Sequence, residues 1–235
     1  MVKKLEIKCS KEDFENLFQF LLKSSFKNIE SFMEKENGRL NKKFFFKDKN
    51  EWKKIIPYDY HMMINFLISE LKNYKSPFSK EKIGFLNRIQ VIESNFINKS
   101  LISVKGKHIF SLHCDRINSY KIYMCFSDIK LKDGPIFFAN IRKCKDQIMK
   151  KINEIEDKKK KFKNLWRKID TKIYTFEEKP YISKFGDIFI FDGREPHRAS
   201  LLKKNGYRAI IIFECMTDEN RYLYERSILE NRSLK

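Results

Sequence analysis

Residues 110–120 read FSLHCDRINSY and place a histidine and an aspartate two positions apart in an otherwise apolar strand pattern. Side chains alternate between the two faces of a strand, so His113 and Asp115 share a face while Cys114 points to the other one. An isolated buried carboxylate is strongly disfavoured, which requires either a His–Asp pair or a bound cation. The two residues are therefore candidate metal ligands.

A second stretch, FGDIFIFDGREPHRAS at residues 185–200, places His197 just after a strongly apolar strand pattern. Two imidazoles and one carboxylate on one side of a metal form the facial triad of non-haem Fe(II) oxygenases, which leaves positions open for a co-substrate and O₂. Taken singly, His113 and Asp115 are also explained by a hydrogen-bonded core pair, and His197 by a loop residue. The three together favour a metal site.

Short aromatic and β-branched runs surround both stretches and predict a mainly β core over residues 83–216. Examples are GPIFFAN at 134–140 and YRAIIIFECM at 207–216. The charged residues 141–170 interrupt these runs and predict a helical insertion, and residues 217–235 form a polar tail.

The first 80 residues predict a helical layer. Ser10 and Asp13 are typical of a helix N-cap and precede apolar residues at helical spacing, and a second periodic stretch spans residues 52–71 with Pro57 near its start. We expect one α+β, mainly β domain over residues 1–235, with the helices packed on a sandwich or small barrel.

Four of these features, in this order, resemble the phytanoyl-CoA dioxygenase family of Fe(II)/2-oxoglutarate oxygenases. They are HCD at 113–115, LKDGPIFF at 131–138, GDIFIFDGREPH at 186–197, and Arg208, which follows His197 by eleven residues. The resemblance covers about residues 83–216. It implies a double-stranded β-helix, which is a cupin-like jelly-roll barrel, with Fe(II) held by His113, Asp115 and His197.

The resemblance also implies contacts to 2-oxoglutarate. Arg208 would pair with the far carboxylate, for which the planar guanidinium is well suited. Tyr123 falls where the family places an aromatic residue near the co-substrate. The family often adds a serine or threonine soon after the distal histidine, but Ala199 takes that place here and Ser200 is the nearest hydroxyl.

The dipeptide Asn205-Gly206 leaves the position of Arg208 open, because it is typical of a two-residue hairpin turn. In a flat hairpin Arg208 would lie opposite Lys203, roughly 20 Å along the strand from His197. In a jelly roll the chain crosses between sheets here, which can return Arg208 to the metal.

The implied reaction consumes 2-oxoglutarate and O₂, releases succinate and CO₂, and hydroxylates a small or carrier-tethered substrate. Asp115 argues against halogenation, because halogenating relatives carry a small residue in its place. Gln90, on the first barrel strand, and Trp166, in the insertion, are candidate substrate contacts. A solvated amphipathic helix is the commoner explanation for the run around Trp166.

A formal net charge of +19 permits an anionic substrate and favours anionic partners non-specifically. An AT-rich coding sequence would give the same excess of Lys, Ile, Asn and Phe, so specific nucleic-acid binding is not favoured. The alternative function is a basic jelly-roll module that binds nucleic acid or another polyanion without oxygenase activity. An oxygenase that acts on nucleic acid or protein ranks below both.

The five scattered cysteines include no C-x-x-C pair, which argues against a disulfide framework or a thiolate zinc site. No stretch nears the roughly 18 apolar residues of a membrane span, and the opening residues have no apolar signal region. We therefore expect a cytoplasmic protein. His61 and His108 are expected to be structural, and Cys114 and Cys125 to pack in the core.

Overall fold

A computed structural model describes residues 2–7, 10–26, 29–36, 38–76, 83–95, 112–115, 119–140, 166–168 and 177–217. The helices in these ranges are α1 (Lys11–Lys23) and α2 (His61–Lys72). The strands are β1 (Lys3–Leu5), β2 (Glu30–Glu36), β3 (Arg39–Phe45), β4 (Ile83–Asn95), β5 (His113–Asp115), β6 (Ser119–Cys125), β7 (Phe137–Ala139), β8 (Trp166–Lys168), β9 (Glu178–Pro180), β10 (Ile188–Asp192), β11 (His197–Arg198) and β12 (Tyr207–Thr217).

The strands form two antiparallel sheets. The larger sheet has the order β1-β10-β6-β12-β4-β3-β2, and the smaller one has the order β8-β5-β11-β7-β9. This arrangement confirms a mainly β fold with few helices.

The two faces of the larger sheet have different neighbours, and alternation along each strand decides which residue meets which. The outer face is apolar and packs against both helices, with Ile122 and Met124 of β6 in the same buried cluster as Leu17 and Leu67. The inner face meets the smaller sheet, where the rings of Phe191 and Phe138 lie 4.9 Å apart. The inner face therefore borders the space between the two sheets.

The predicted start of the first helix is confirmed, whereas the second periodic stretch forms two short 3₁₀ turns before its helix begins at His61. Ser10 caps α1 by accepting a hydrogen bond from the backbone N–H of Asp13. The residues of α1 that face the sheet are buried: Phe14, Leu17, Phe18 and Leu21. Pro57 precedes a short 3₁₀ turn that leads directly into α2. In the part of the chain that the structure describes, neither helix is long and apolar enough to cross a membrane.

The N-terminal third also contains β1, β2 and β3, which the predicted helical layer does not include. For these segments the helical prediction is wrong, because β3 pairs with β4 along its whole length and extends the larger sheet. The missed signal is the Asn37-Gly38 dipeptide, a typical hairpin turn between two charged strands. The division of residues 1–235 into one domain stays a prediction.

The helical insertion predicted at 141–170 falls outside the described residues except at Trp166–Lys168. There the prediction is wrong, because these residues form β8 and pair with β5. The polar tail beyond Thr217 and His108 also lie outside the described residues.

A turn forms here, but it is centred on Lys204 and Asn205, one residue before the predicted Asn205-Gly206 pair. Asn205 has a φ of 61°, and the N–H of Gly206 donates to the carbonyl of Lys203 at 2.9 Å. The strands on either side nevertheless belong to different sheets, β11 to the smaller and β12 to the larger. The flat-hairpin alternative is therefore wrong, and Arg208 is the second residue of β12, in the sheet that faces the candidate ligands.

Candidate metal centre

The three predicted ligands come together on neighbouring strands of the smaller sheet. His197 on β11 lies directly opposite His113 on β5, and Asp115 follows two residues later on β5. The Oδ1 atom of Asp115 lies 3.9 Å from the Nε2 atoms of both histidines. One potential ligand atom from each residue lies within 4.8 Å of the other two, and all three side chains are buried.

The distances between the ligand atoms suit a shared cation better than they suit hydrogen bonds between the three side chains. The 3.9 Å separations exceed the range of an N–H···O hydrogen bond. The buried Oδ1 atom of Asp115 has no hydrogen-bond partner among the described residues. Leaving a buried carboxylate oxygen unsatisfied is costly, and a divalent ion between the three side chains would remove that cost.

The backbone fixes the orientation of His197. Its Nδ1–H donates to the carbonyl of Glu195 at 2.7 Å, which leaves the lone pair of Nε2 pointing towards Asp115. Burial lowers the pKa of His197 to about 3, and the neighbouring Lys121 and His113 add to this shift against the opposing effect of Asp115. The ring is therefore neutral at neutral pH, which is the form that binds metals.

A buried lysine that the sequence analysis missed holds the other oxygen of Asp115. The ammonium of Lys121 on β6 forms an ion pair with Oδ2. Burial alone would raise the pKa of Asp115, but the opposing effects, led by the positive charge of Lys121, hold the pKa below its usual range. The carboxylate is thus ionised, with Oδ1 towards the histidines and Oδ2 towards the lysine.

The turn between β10 and β11 leaves no room for a side chain beside Asp115. A Cβ atom on Gly193 would lie 2.6 Å from Oδ2 of Asp115. The same glycine accepts a hydrogen bond from the backbone N–H of Asp115 at 2.7 Å and donates one to the carbonyl of Ser119 at 2.8 Å. Close backbone approach therefore places Asp115 within reach of both histidines.

Tyr123 and Arg208 lie on the inner face of the larger sheet. Tyr123 has the same strand parity as Lys121, and its ring packs 5.1 Å from the ring of Phe189. Arg208 donates through Nη1 to the carbonyl of Gly134, and no carboxylate among the described residues lies within ion-pair distance of it. Burial, followed by repulsion from Arg39, lowers its pKa to about 10, so the guanidinium remains charged at neutral pH.

The other three predicted site residues lie on different parts of the fold: Ser200 follows β11, Gln90 lies on β4 and Trp166 on β8. The hydroxyl of Ser200 donates to the carbonyl of Pro135 at 2.7 Å. Gln90 lies on the inner face opposite Ile212, and its amide donates to Asn41 at 2.8 Å. The backbone of Trp166 pairs with Asp115.

The residues expected to be structural are partly described. His61 lies within 2.8 Å of the carbonyl of Ile56 and packs on Trp52, which fits the structural role predicted for it. Cys125 is buried, as expected, and so is Cys215. The side chain of Cys114 and the whole of His108 lie outside the described residues.

Two antiparallel sheets with a buried cluster of two histidines and one aspartate between them define a β-sandwich with the donor set of a non-haem Fe(II) oxygenase. Comparison with solved structures gives a related fold, and two of them match most of the chain.

One is the non-haem α-ketoglutarate-dependent carbocyclase SnoK from nogalamycin biosynthesis, with a TM-score of 0.54, 10% identity, and coverage of 92% of this chain and 79% of that one. Another is HygX from Streptomyces hygroscopicus with nickel and 2-oxoglutarate bound, with a TM-score of 0.50, 8% identity, and coverage of 92% and 83%. At these identities the similarity shows the fold. Neither a protein-family model nor a curated protein sequence matches the chain, so the phytanoyl-CoA dioxygenase family stays a prediction.

Proposed function

We propose that this protein is an Fe(II)- and 2-oxoglutarate-dependent dioxygenase with a double-stranded β-helix, similar to phytanoyl-CoA dioxygenases. The observation that carries the proposal is the buried cluster of His113, Asp115 and His197, in which one carboxylate oxygen has no protein partner among the described residues. The fold shared with SnoK and HygX supports it.

In this proposal His113, Asp115 and His197 hold Fe(II). When bound, the metal supplies the redox chemistry that couples decarboxylation of 2-oxoglutarate by O₂, giving succinate and CO₂, to hydroxylation of a substrate C–H bond. The carbonyl of Glu195 keeps the metal-binding nitrogen of His197 deprotonated. Lys121 keeps Asp115 ionised, and the ring of Phe191, 5.2 Å from that of His197, helps to exclude water from this side of the site.

Arg208 binds the far carboxylate of 2-oxoglutarate, and Tyr123 lines the same space. Two features support this assignment. Arg208 has no carboxylate partner in the described part of the chain. Its positive charge also opposes the rise that burial causes in the pKa of Tyr123. Ser200 was the nearest candidate for a second contact to this carboxylate, but its hydroxyl already donates to a backbone carbonyl.

The substrate we propose is a small or carrier-tethered molecule, with hydroxylation as the outcome because Asp115 is retained. SnoK is a carbocyclase from nogalamycin biosynthesis, which supports small-molecule chemistry. Gln90 and Trp166 remain proposed substrate contacts, and the net charge of +19 is compatible with an anionic group. The cytoplasmic location remains a prediction.

The test combines metal binding with turnover. Calorimetry under anaerobic conditions should show binding of Fe(II), and then of 2-oxoglutarate to the Fe(II)-loaded protein, and aerobic incubation should release succinate. Asp115→Ala should abolish both signals, whereas Asp59→Ala, at an exposed aspartate in the turn before α2, should retain them. The proposal is wrong if the wild-type protein binds neither Fe(II) nor 2-oxoglutarate and releases no succinate with any of a panel of substrates.

A further inference from the structure

A row of three polar side chains crosses the inner face of the larger sheet beside the proposed co-substrate site. Ser94 on β4 lies directly opposite Arg208 on β12 and, on its other side, directly opposite Arg39 on β3. Side chains of directly opposed residues in antiparallel strands share a face, with Cβ atoms roughly 5 Å apart. The hydroxyl of Ser94 is therefore an immediate neighbour of the Arg208 side chain.

The hydroxyl of Ser94 is buried without a hydrogen bond. Ser94 is 0% exposed, and its Oγ atom has no partner among the described residues. The Nε–H of Arg208 is also buried and lacks a partner there, while its Nη1 donates to the carbonyl of Gly134. Buried polar atoms in native proteins nearly always have partners, so two neighbouring donors without one indicate an acceptor from outside the protein.

The charge at this point favours an anion. Arg39 and Arg208 flank Ser94, and repulsion from Arg39 adds to burial in lowering the pKa of Arg208. A carboxylate has two oxygens and about four acceptor sites, so it can accept from a guanidinium and a hydroxyl together. A neutral or cationic group at this point would not reduce the repulsion between Arg39 and Arg208.

On the basis of the proposed function, we propose that Ser94 is the second anchor for the far carboxylate of 2-oxoglutarate, alongside Arg208. It replaces the hydroxyl that the phytanoyl-CoA dioxygenase family often supplies after the distal histidine, because Ala199 has none and the hydroxyl of Ser200 donates to the carbonyl of Pro135. The anchor is then supplied by the neighbouring strand of the larger sheet, β4, instead of by the segment after β11.

The test is calorimetry on the Mn(II)-loaded protein without O₂, with 2-oxoglutarate and with 2-oxobutyrate, which keeps the keto acid but lacks the far carboxylate. Because a hydrogen bond to a charged group is strong, Ser94→Ala should weaken 2-oxoglutarate binding about 10- to 100-fold and leave 2-oxobutyrate and Mn(II) binding unchanged. Ser94→Cys, of similar shape but a weak donor, should show the same loss. Ser200→Ala is the matched control and should bind 2-oxoglutarate as the wild type does.

Thermal unfolding without ligand separates this role from a structural one. A hydroxyl without a protein partner can be removed without loss, so Ser94→Ala should unfold at the same temperature as the wild type or higher. Equal 2-oxoglutarate affinity in the wild type and Ser94→Ala overturns the inference and leaves the proposed function standing. An equal loss for both keto acids also overturns it. Absence of 2-oxoglutarate binding by the wild type rejects the proposed function and the inference together.

Discussion

Lys121→Met removes the only ammonium that contacts Asp115 among the described residues and replaces it with an apolar side chain of similar length. Asp115 is 5% exposed, so its Oδ2 atom would keep its charge with no compensating partner. Removing one member of a buried ion pair costs about 3–5 kcal/mol, because the remaining charge stays desolvated. Glu214, the other acid that acts on Lys121, retains its ion pair with Arg88, so the loss is concentrated at Asp115.

The measurement is urea unfolding followed by circular dichroism, first in EDTA and then in excess Mn(II). In EDTA we expect the free energy of unfolding to fall by about 3–5 kcal/mol in Lys121→Met. Mn(II) should recover part of this loss, because the ion supplies positive charge at the same carboxylate and stabilises the folded state by mass action.

The matched control is Lys4→Met, which breaks the ion pair of Lys4 with Asp187. Lys4 is 56% exposed, so this change should cost less than about 1 kcal/mol. If Lys121→Met in EDTA proves no less stable than Lys4→Met, the ion pair with Lys121 does not stabilise the charge of Asp115, and Lys121 is not the residue that keeps it ionised.

Three further predictions concern the same space. Gly193→Ala should weaken Mn(II) binding, measured by calorimetry, about 10- to 100-fold, because the new Cβ atom would lie 2.6 Å from Oδ2 of Asp115. An unchanged affinity would show that the turn moves aside and that Asp115 does not depend on the close approach of Gly193. Between about pH 6.5 and about pH 3 the unfolded chain binds a proton at His197 that the folded protein does not bind. The free energy of unfolding in EDTA should therefore fall by up to about 1.4 kcal/mol for each unit by which the pH is lowered. His197→Gln should flatten this dependence, and parallel curves would contradict it. Lys43, whose pKa burial, Arg88 and Arg39 lower to about 8, should lose its proton near pH 8, whereas Lys4, whose pKa is raised, should stay charged, as judged by NMR titration of the lysine side chains. Equal titration midpoints would count against the depressed pKa.

How much of the site was predictable depends on how local each signal is. His113 and Asp115 follow from strand parity within three residues, and the structure places them as predicted. His197 is 82 positions from Asp115, and no local pattern links the two strands, so its assignment rested on the donor set of a facial triad and on the order of motifs in the family resemblance. Lys121 was missed because a lone lysine in an apolar run of a lysine-rich chain has no distinguishing spacing.

The same reasoning explains the errors in the fold. Asn205-Gly206 indicates a turn, which forms one residue earlier, but a turn carries no information on which sheet the following strand joins. That choice depends on pairing of β12 with both β4 and β6, which lie far away in sequence. The strands β2, ESFMEKE, and β3, RLNKKFF, were missed because adjacent charged residues interrupt the apolar alternation that is typical of a strand.

The inner and outer faces of the larger sheet show where packing alone does not explain the sequence. The outer-face residues of β6 and β12 are apolar and buried against the helices: Tyr120, Ile122, Met124, Ala209, Ile211, Phe213 and Cys215. On the inner face the same two strands bury Lys121 and Glu214, and β4 adds Ser94. A sheet that needed only a core would be more stable with apolar residues at these positions. In β6 and β12 these local sequence rules are broken on the inner face only, beside the candidate metal ligands and Arg208, and such breaks are expected at functional sites. The ion pair of Asp115 with Lys121 and the unpaired hydroxyl of Ser94 are therefore better explained by ligand binding than by folding.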